Sequence, residues 1–357
     1  MNTARKYAGN RARILLNSGR GIRRRAGFTE RRKQMSDVLL EVKGLKKYYE
    51  EHGGMRKTRK NPVKAVDGVS FTIGKGEVFG LAGESGSGKS SIGKTILRLH
   101  EKTEGEVFFQ GRDVFRMSRR ELKTFRSEAQ LIFQDPFSSL NPRRRIGEAI
   151  GEAMIEHQLA VKRNVRDKAA EVLEACGLSA NFIDRYPHEF SGGQRQRIVI
   201  ARAMALKPQF IIMDEPVAAL DVSIQAQMIN LFSSLQKQHG LSYLFISHDL
   251  SVVEHLCTKV AVMYLGTIVE YASKEELFSR PLHPYTKALL SAVPVPDPDP
   301  GAKRERIILK GDIPSPSDPP SGCKFRTRCP AAKKICAEKS PALSEKGLHH
   351  FAACHFV

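Results

Sequence analysis

From about residue 38 onward, the chain alternates short apolar runs with stretches of helical spacing. Leu40, Val42 and Leu45, followed by Tyr48 and Tyr49, set out a first strand, and residues 63–71 alternate as a half-buried antiparallel strand ahead of the turn Gly74-Lys75-Gly76. Val78-Phe79-Gly80-Leu81-Ala82 is a continuous run suited to a buried strand, and residues 91–99 return apolar side chains at helical spacing. A strand closed by a glycine turn is expected over 105–111, a charged helix over 116–128, and an apolar strand from residue 130 ending at Gln134-Asp135-Pro136. Residues 145–185 read as helical throughout, with Gly177 as a stop signal. Phe210-Ile211-Ile212-Met213 and Leu244-Phe245-Ile246 are further buried strands, and a helix leads from Asp221 to about residue 237. The pattern is that of an α/β chain with a helical block inserted in it.

The polar residues at the ends of these runs carry the candidate chemistry. Gly83-Glu84-Ser85-Gly86-Ser87-Gly88-Lys89-Ser90, continuing into Ser91, fits the G-x-x-x-x-G-K-[ST] phosphate loop and sits between a strand and a helix. Glycines let successive N–H groups face an anion, and the helix aims its positive end at the same place. Lys89 would then reach β- and γ-phosphates and Ser90 would sit on Mg²⁺. Asp214 and Glu215 end an apolar strand, where one carboxylate can hold Mg²⁺ and the other can polarise an attacking water. Ser191-Gly192-Gly193-Gln194 opens a second glycine-led helix and a second potential anion site. Taken alone, Gln134 and His248 are ordinary strand-end polar residues, and the tyrosines are ordinary packing.

Composition changes this picture little, apart from the charge. The formal net charge is +20, and residues 1–36 hold eleven Lys and Arg against the single acid Glu30. Such a run is read as a solvated, disordered extension, with Met35 as an alternative start just ahead of the first strand pattern. No apolar run is long enough to cross a membrane, and the basic N-terminus lacks the apolar core of a secretory signal. The six cysteines are therefore read as thiols or metal ligands in a reducing compartment.

In their order along residues 38–357, the phosphate loop, Gln134, the Ser191–Gln194 turn, Asp214 with Glu215, Ala219-Leu220-Asp221 and His248 resemble the ATP-binding subunit of an ABC transporter. Ile132-Phe133-Gln134-Asp135-Pro136, Asp221-Val222-Ser223-Ile224-Gln225-Ala226-Gln227 and His283-Pro284-Tyr285-Thr286 resemble the oligopeptide/dipeptide importer branch, and within it the second, F-type ATPase subunit. The resemblance implies a P-loop NTPase, RecA-like core over 37–275 with an antiparallel β subdomain, a helical subdomain over about 136–190 and a C-terminal extension over 276–357. It implies that two subunits, here a heterodimer, sandwich two ATP molecules head to tail. Ser191 and Gly193 would then serve the partner's nucleotide, and Gly192, Gln194 and Asp221 are implied to bind nucleotide with them. Tyr49 is implied to stack on adenine, with Tyr48 as the alternative. Glu215, His248 and Gln134 are implied to be catalytic, and Ser90, Gln134 and Asp214 to hold Mg²⁺. Phe190 and Ala218 stand where leucine and serine are usual. The implied partners are two transmembrane permease subunits and an extracytoplasmic peptide-binding protein, with the chain peripheral on the cytoplasmic face of the inner membrane. The rival is a soluble ABC-type ATPase acting on nucleic acid or ribosomes, which a single phosphate loop and the lack of a long heptad run disfavour.

Cys323, Cys329, Cys336 and Cys354 follow the spacing C-x5-C-x6-C-x17-C, wider than paired zinc motifs, behind a Pro-, Ser- and Asp-rich segment over 313–321. A metal centre would supply folding energy that the segment lacks. Four thiolates suit Zn²⁺ or a [4Fe-4S] cluster, and the resemblance tips the reading to the cluster; the bland alternative is four reduced cysteines in a loose tail.

Overall fold

The computed structural model describes residues 37–50, 61–293 and 306–357; the basic segment 1–36 and the start at Met35 lie outside the described residues. Strands β1 (Val38–Tyr49) and β2 (Val63–Gly74) lead into β3 (Val78–Ala82), the phosphate loop and helix α1 (Lys89–Ile96). Then come β4 (Glu104–Phe109), β5 (Arg112–Asp113), α2 (Arg119–Glu128) and β6 (Ala129–Ile132). The helical block holds α3 (Pro136–Ser139), α4 (Ile146–Glu156) and α5 (Val165–Ala175), and α6 (Gly192–Met204) returns the chain to β7 (Phe210–Asp214). Beyond it lie α7 (Val222–His239), β8 (Ser242–Ser247), α8 (Leu250–Leu256), β9 (Lys259–Tyr264), β10 (Thr267–Ser273), α9 (Lys274–Ser279) and α10 (Pro284–Ser291). The C-terminal segment adds α11 (Lys334–Glu338), β11 (Ser344–Gly347) and β12 (His350–Ala352).

Two sheets organise these elements. The larger runs β11-β12-β10-β9-β3-β8-β7-β6, with β9, β3, β8, β7 and β6 parallel. β3, β7 and β8 are buried at every position, which is why they read as unbroken apolar runs rather than as alternation. The smaller sheet, β2-β1-β4-β5, is antiparallel and packs its alternate apolar residues against α1.

One expectation needs correction, and one alternative falls. The block over 145–185 is not helical throughout: α4 stops at Glu156 and the chain turns out of it at Gln158, whose φ is 59°, while Leu159 and Ala160 return their N–H groups to Met154 O at 2.8 and 3.3 Å. This is a left-handed helix stop, usually made by glycine or asparagine, so a glutamine there leaves no signal. Gly177 closes α5 at φ 74° as the pattern predicts. Nor is the cysteine-bearing segment a loose tail, because β12 pairs with β10 through Glu270 opposite Ala352 and Tyr271 opposite Phe351. Cys176 and Cys257 are buried in the core.

Candidate nucleotide site

The phosphate loop lies between β3 and α1, and two of its glycines are obligatory. Gly83 (φ +146°) and Gly88 (φ +102°) approach other backbone so closely that a Cβ would stand 2.3 Å from Met263 O and 1.9 Å from Ala65 O. Lys89 is buried, and its Nζ donates to Gly83 O at 2.7 Å and Glu84 O at 2.9 Å. Burial pulls its pKa down, against the raising fields of Glu215, Asp214 and Glu84. An ammonium held by two loop carbonyls and, at 3.4 Å, the Ser87 hydroxyl is poised to exchange them for phosphate oxygens.

Ser90 Oγ donates to Asp214 Oδ1 at 2.7 Å, so the hydroxyl and carboxylate expected around Mg²⁺ already face each other. Burial raises the Asp214 pKa, and the bond from Ser90 offsets part of the rise. A hard cation beside this oxygen pair would favour the ionised carboxylate, which fits the donor set.

Glu215 stands one residue past β7 with φ 50°, a left-handed conformation that costs a non-glycine residue about 1–2 kcal/mol. Its N–H is held by Ile246 O at 3.0 Å, and its Oε2 sits between Gln134 Nε2 at 3.1 Å and His248 Nδ1 at 3.2 Å. The ends of β6, β7 and β8 thus bring together three residues that lie far apart in sequence, at the carboxyl edge where ligands bind in such sheets.

The other predicted residues occupy separate positions. Tyr49 OH approaches Ser91 Oγ at 3.4 Å, whereas Tyr48 OH bonds Asp67 Oδ1 at 2.6 Å. Ser191 and Gln194 cap α6 reciprocally, and the glycines between them pack against α7 and the residue before its cap: a Cβ on Gly192 would meet Leu220 at 3.8 Å, and one on Gly193 would meet Ile224 at 2.7 Å. Asp221 is the N-cap of α7. Among the described residues, no hydrogen bond joins the Ser191–Gln194 turn to the phosphate loop. Two contacts escaped the sequence reading: Tyr285 OH accepts from Glu84 N–H at 2.9 Å, and Arg328 pairs with the Glu84 carboxylate. Partners 201 and 244 residues away leave no local signal.

All four C-terminal cysteines line one cavity of about 220 Å³, shared with Leu282, Phe325 and Phe356. Cys323 N–H donates to Cys336 O at 2.7 Å, and burial raises the Cys323 and Cys329 thiol pKa values. Among the described residues, no three His, Cys, Asp or Glu side chains are grouped closely enough to hold a metal ion as they stand. The expected site is therefore a shared cavity rather than an assembled ligand set.

Comparisons with known proteins agree with this geometry. Residues 66–218 match the ABC transporter family, and residues 269–336 match the family of the oligopeptide/dipeptide transporter C-terminal region. The oligopeptide transport ATP-binding protein AppF of Bacillus subtilis is 53% identical over 89% of this chain and 97% of its own length. The corresponding protein OppF of Salmonella typhimurium is 49% identical over 89% of this chain and 96% of its own length. Among solved structures, the ATP-binding cassette MJ0796 bound to ADP and Pi superposes with a TM-score of 0.59 at 27% identity, over 66% of this chain and 99% of that one. Identity of 49–53% that runs nearly end to end with those relatives, together with the two matching family regions, shows that the chain belongs to the ATP-binding proteins of ABC transporters, in their oligopeptide/dipeptide branch.

Proposed function

We propose that the chain hydrolyses MgATP to drive import of peptides through a separate permease. The observation that carries this reading is Glu215, strained at φ 50° and held between Gln134 and His248 beside the Ser90–Asp214 pair. In this role Glu215 polarises the attacking water, His248 contacts the γ-phosphate and Lys89 moves from the loop carbonyls onto the β- and γ-phosphates. Mg²⁺, held by Ser90, Gln134 and Asp214, would neutralise charge on the β- and γ-oxygens. Tyr49, on the side of α1, stacks on adenine, while Tyr48 is engaged by Asp67.

The self-capped turn Ser191–Gln194, with Asp221 beside it, serves the nucleotide of a second ATPase subunit, which makes a head-to-tail pair the working unit. The permease meets the helical block, where a groove of about 1110 Å³ opens beside α4 and where Phe137 is 61% exposed under Arg195. No described helix is long and apolar enough to cross a membrane, which suits a subunit that works through such a partner. An extracytoplasmic binding protein completes the assembly. The match of residues 269–336 to a transporter C-terminal region favours this reading over action on nucleic acid.

At the C-terminus, four sulfurs around one cavity offer the donor set of a [4Fe-4S] cluster. The same four sulfurs could instead hold Zn²⁺, and either centre would tie together residues 323–354. Protein purified without oxygen is expected to be brown, with about four iron per chain, and to lose its colour in Cys329→Ser. Stoichiometric zinc in a colourless protein overturns the cluster and keeps a metal site; absence of any metal overturns both. Glu215→Gln tests the catalytic reading: steady-state hydrolysis by the assembled transporter is abolished, while MgATP binding persists because the amide keeps the shape but cannot act as a base. Near-normal turnover sinks the assignment.

A further inference from the structure

The segment from Cys323 to Cys329 is tied to β2 and the β9–β10 turn at one end and to the phosphate loop at the other. Lys324 Nζ donates to Asp67 Oδ2 at 2.8 Å and to Leu265 O at 3.0 Å, and the other oxygen of Asp67 holds Tyr48. Phe325 is fully buried, packed against the rings of Tyr264, Tyr285 and His283, so the segment between the two cysteines is anchored in the core. Arg328 then reaches the phosphate loop. Its Nη1 and Nη2 donate to Glu84 Oε2 and Oε1 at 2.6 and 3.1 Å, the paired fork geometry that gives arginine–carboxylate contacts their specificity. The Arg328 side chain is only 9% exposed and lies over the Tyr264 ring. Glu84 is the second residue of the loop, its carbonyl accepts from Lys89, and its charge acts on the Lys89 ammonium. With Arg328 removed, an unpaired carboxylate would face an incoming triphosphate and would be free to draw Lys89 or the loop out of position.

We propose that Arg328 is a positioning residue for the phosphate loop: it neutralises and fixes Glu84 in the nucleotide-accepting geometry. Because it adjoins Cys329, nucleotide affinity depends on the integrity of the four-cysteine element. The first part stands on the ion pair alone. The second rests on the reading of the cysteines as one site, and it is reciprocal, since an element that favours nucleotide is in turn steadied by it.

The test is a double-mutant cycle on the full chain, with binding of a fluorescent ATP derivative and Mg²⁺ as the readout. Arg328→Met is expected to weaken binding about tenfold in the native background and less than about twofold in the Glu84→Gln background, because its effect passes through the carboxylate. Arg328→Lys, which keeps the charge and one bond, gives an intermediate loss and carries the same cycle if the methionine variant does not fold. Equal losses in both backgrounds, or no loss at all, overturn the positioning role. Cys329→Ser is expected to weaken nucleotide binding and to add nothing to Arg328→Met. Unchanged affinity in Cys329→Ser overturns the link to the cysteine element whatever the metal content. Weakened affinity in a chain that never held metal supports the link and sinks only the cluster.

Discussion

Single residues decide how closely the backbone can wrap a phosphate. Gly88 combines a positive φ with a virtual Cβ 1.9 Å from Ala65 O, whereas Gly86, at φ +78°, has open space around it. Gly88→Ala must move the backbone of β2 and is expected to cost about 3 kcal/mol or more and to abolish MgATP binding. Gly86→Ala pays only for its left-handed conformation, about 1–2 kcal/mol. Denaturant midpoints of the two variants check the difference, and equal shifts would mean that the close approach to Ala65 does not matter. The sequence made the loop legible because every member of the pattern lies within eight positions. Gln134 and His248 were legible only through their order in the chain, since nothing local says that both meet one oxygen of Glu215. Arg328 carried no such signal, because its partner is 244 residues away.

At the scale of elements, burial on both faces made β3, β7 and β8 readable, whereas the glycine stop signal that marks the end of α5 was missing after α4, where Gln158 takes its place. Helix α10 shows how an element can depend on a proton. Its cap, His283, is buried, with Nδ1 accepting the Tyr285 N–H at 3.1 Å, and burial pushes its pKa down to about 4 from 6.5. Above the ordinary imidazole pKa, neither the folded nor the unfolded state binds this proton. As pH falls through that value, the unfolded chain is protonated first, so stability drains away and the loss is complete near the folded pKa. The difference in stability between about pH 7.5 and pH 5 should include roughly 2 kcal/mol from this residue. His283→Asn, which can cap without titrating, should remove that share from urea midpoints measured at the two pH values. An unchanged pH dependence in the asparagine variant would show that His283 does not titrate in this way.

For the whole molecule, the question is what makes the C-terminal segment part of the nucleotide-binding unit. The Pro-, Ser- and Asp-rich stretch over 313–321 has little apolar content, so from sequence it promised little independent folding; what holds the region is contact with distant residues. One such contact is Arg328 with Glu84, and another is β12 laid along β10, where Glu270 and His350 are both fully buried. His350 Nε2 meets Glu270 Oε1 at 2.7 Å, while the same carboxylate accepts Leu282 N–H at 2.7 Å and His283 N–H at 2.8 Å. The carboxylate therefore ties together the end of the core sheet, the start of α10 and the last strand. Replacing it should cost more than replacing the histidine. His350→Ala leaves Glu270 with two backbone donors and is expected to cost about 1–3 kcal/mol. Glu270→Ala orphans two backbone N–H groups and a buried imidazole together and is expected to cost about 3–5 kcal/mol. Urea midpoints for the two variants test the order, and a histidine variant as unstable as the alanine at 270 would place the tie in β12 packing instead. Because α10 presents Tyr285 to Glu84, the Glu270 variant should also loosen the phosphate loop, so its nucleotide affinity should fall further than that of His350→Ala under conditions where both remain folded.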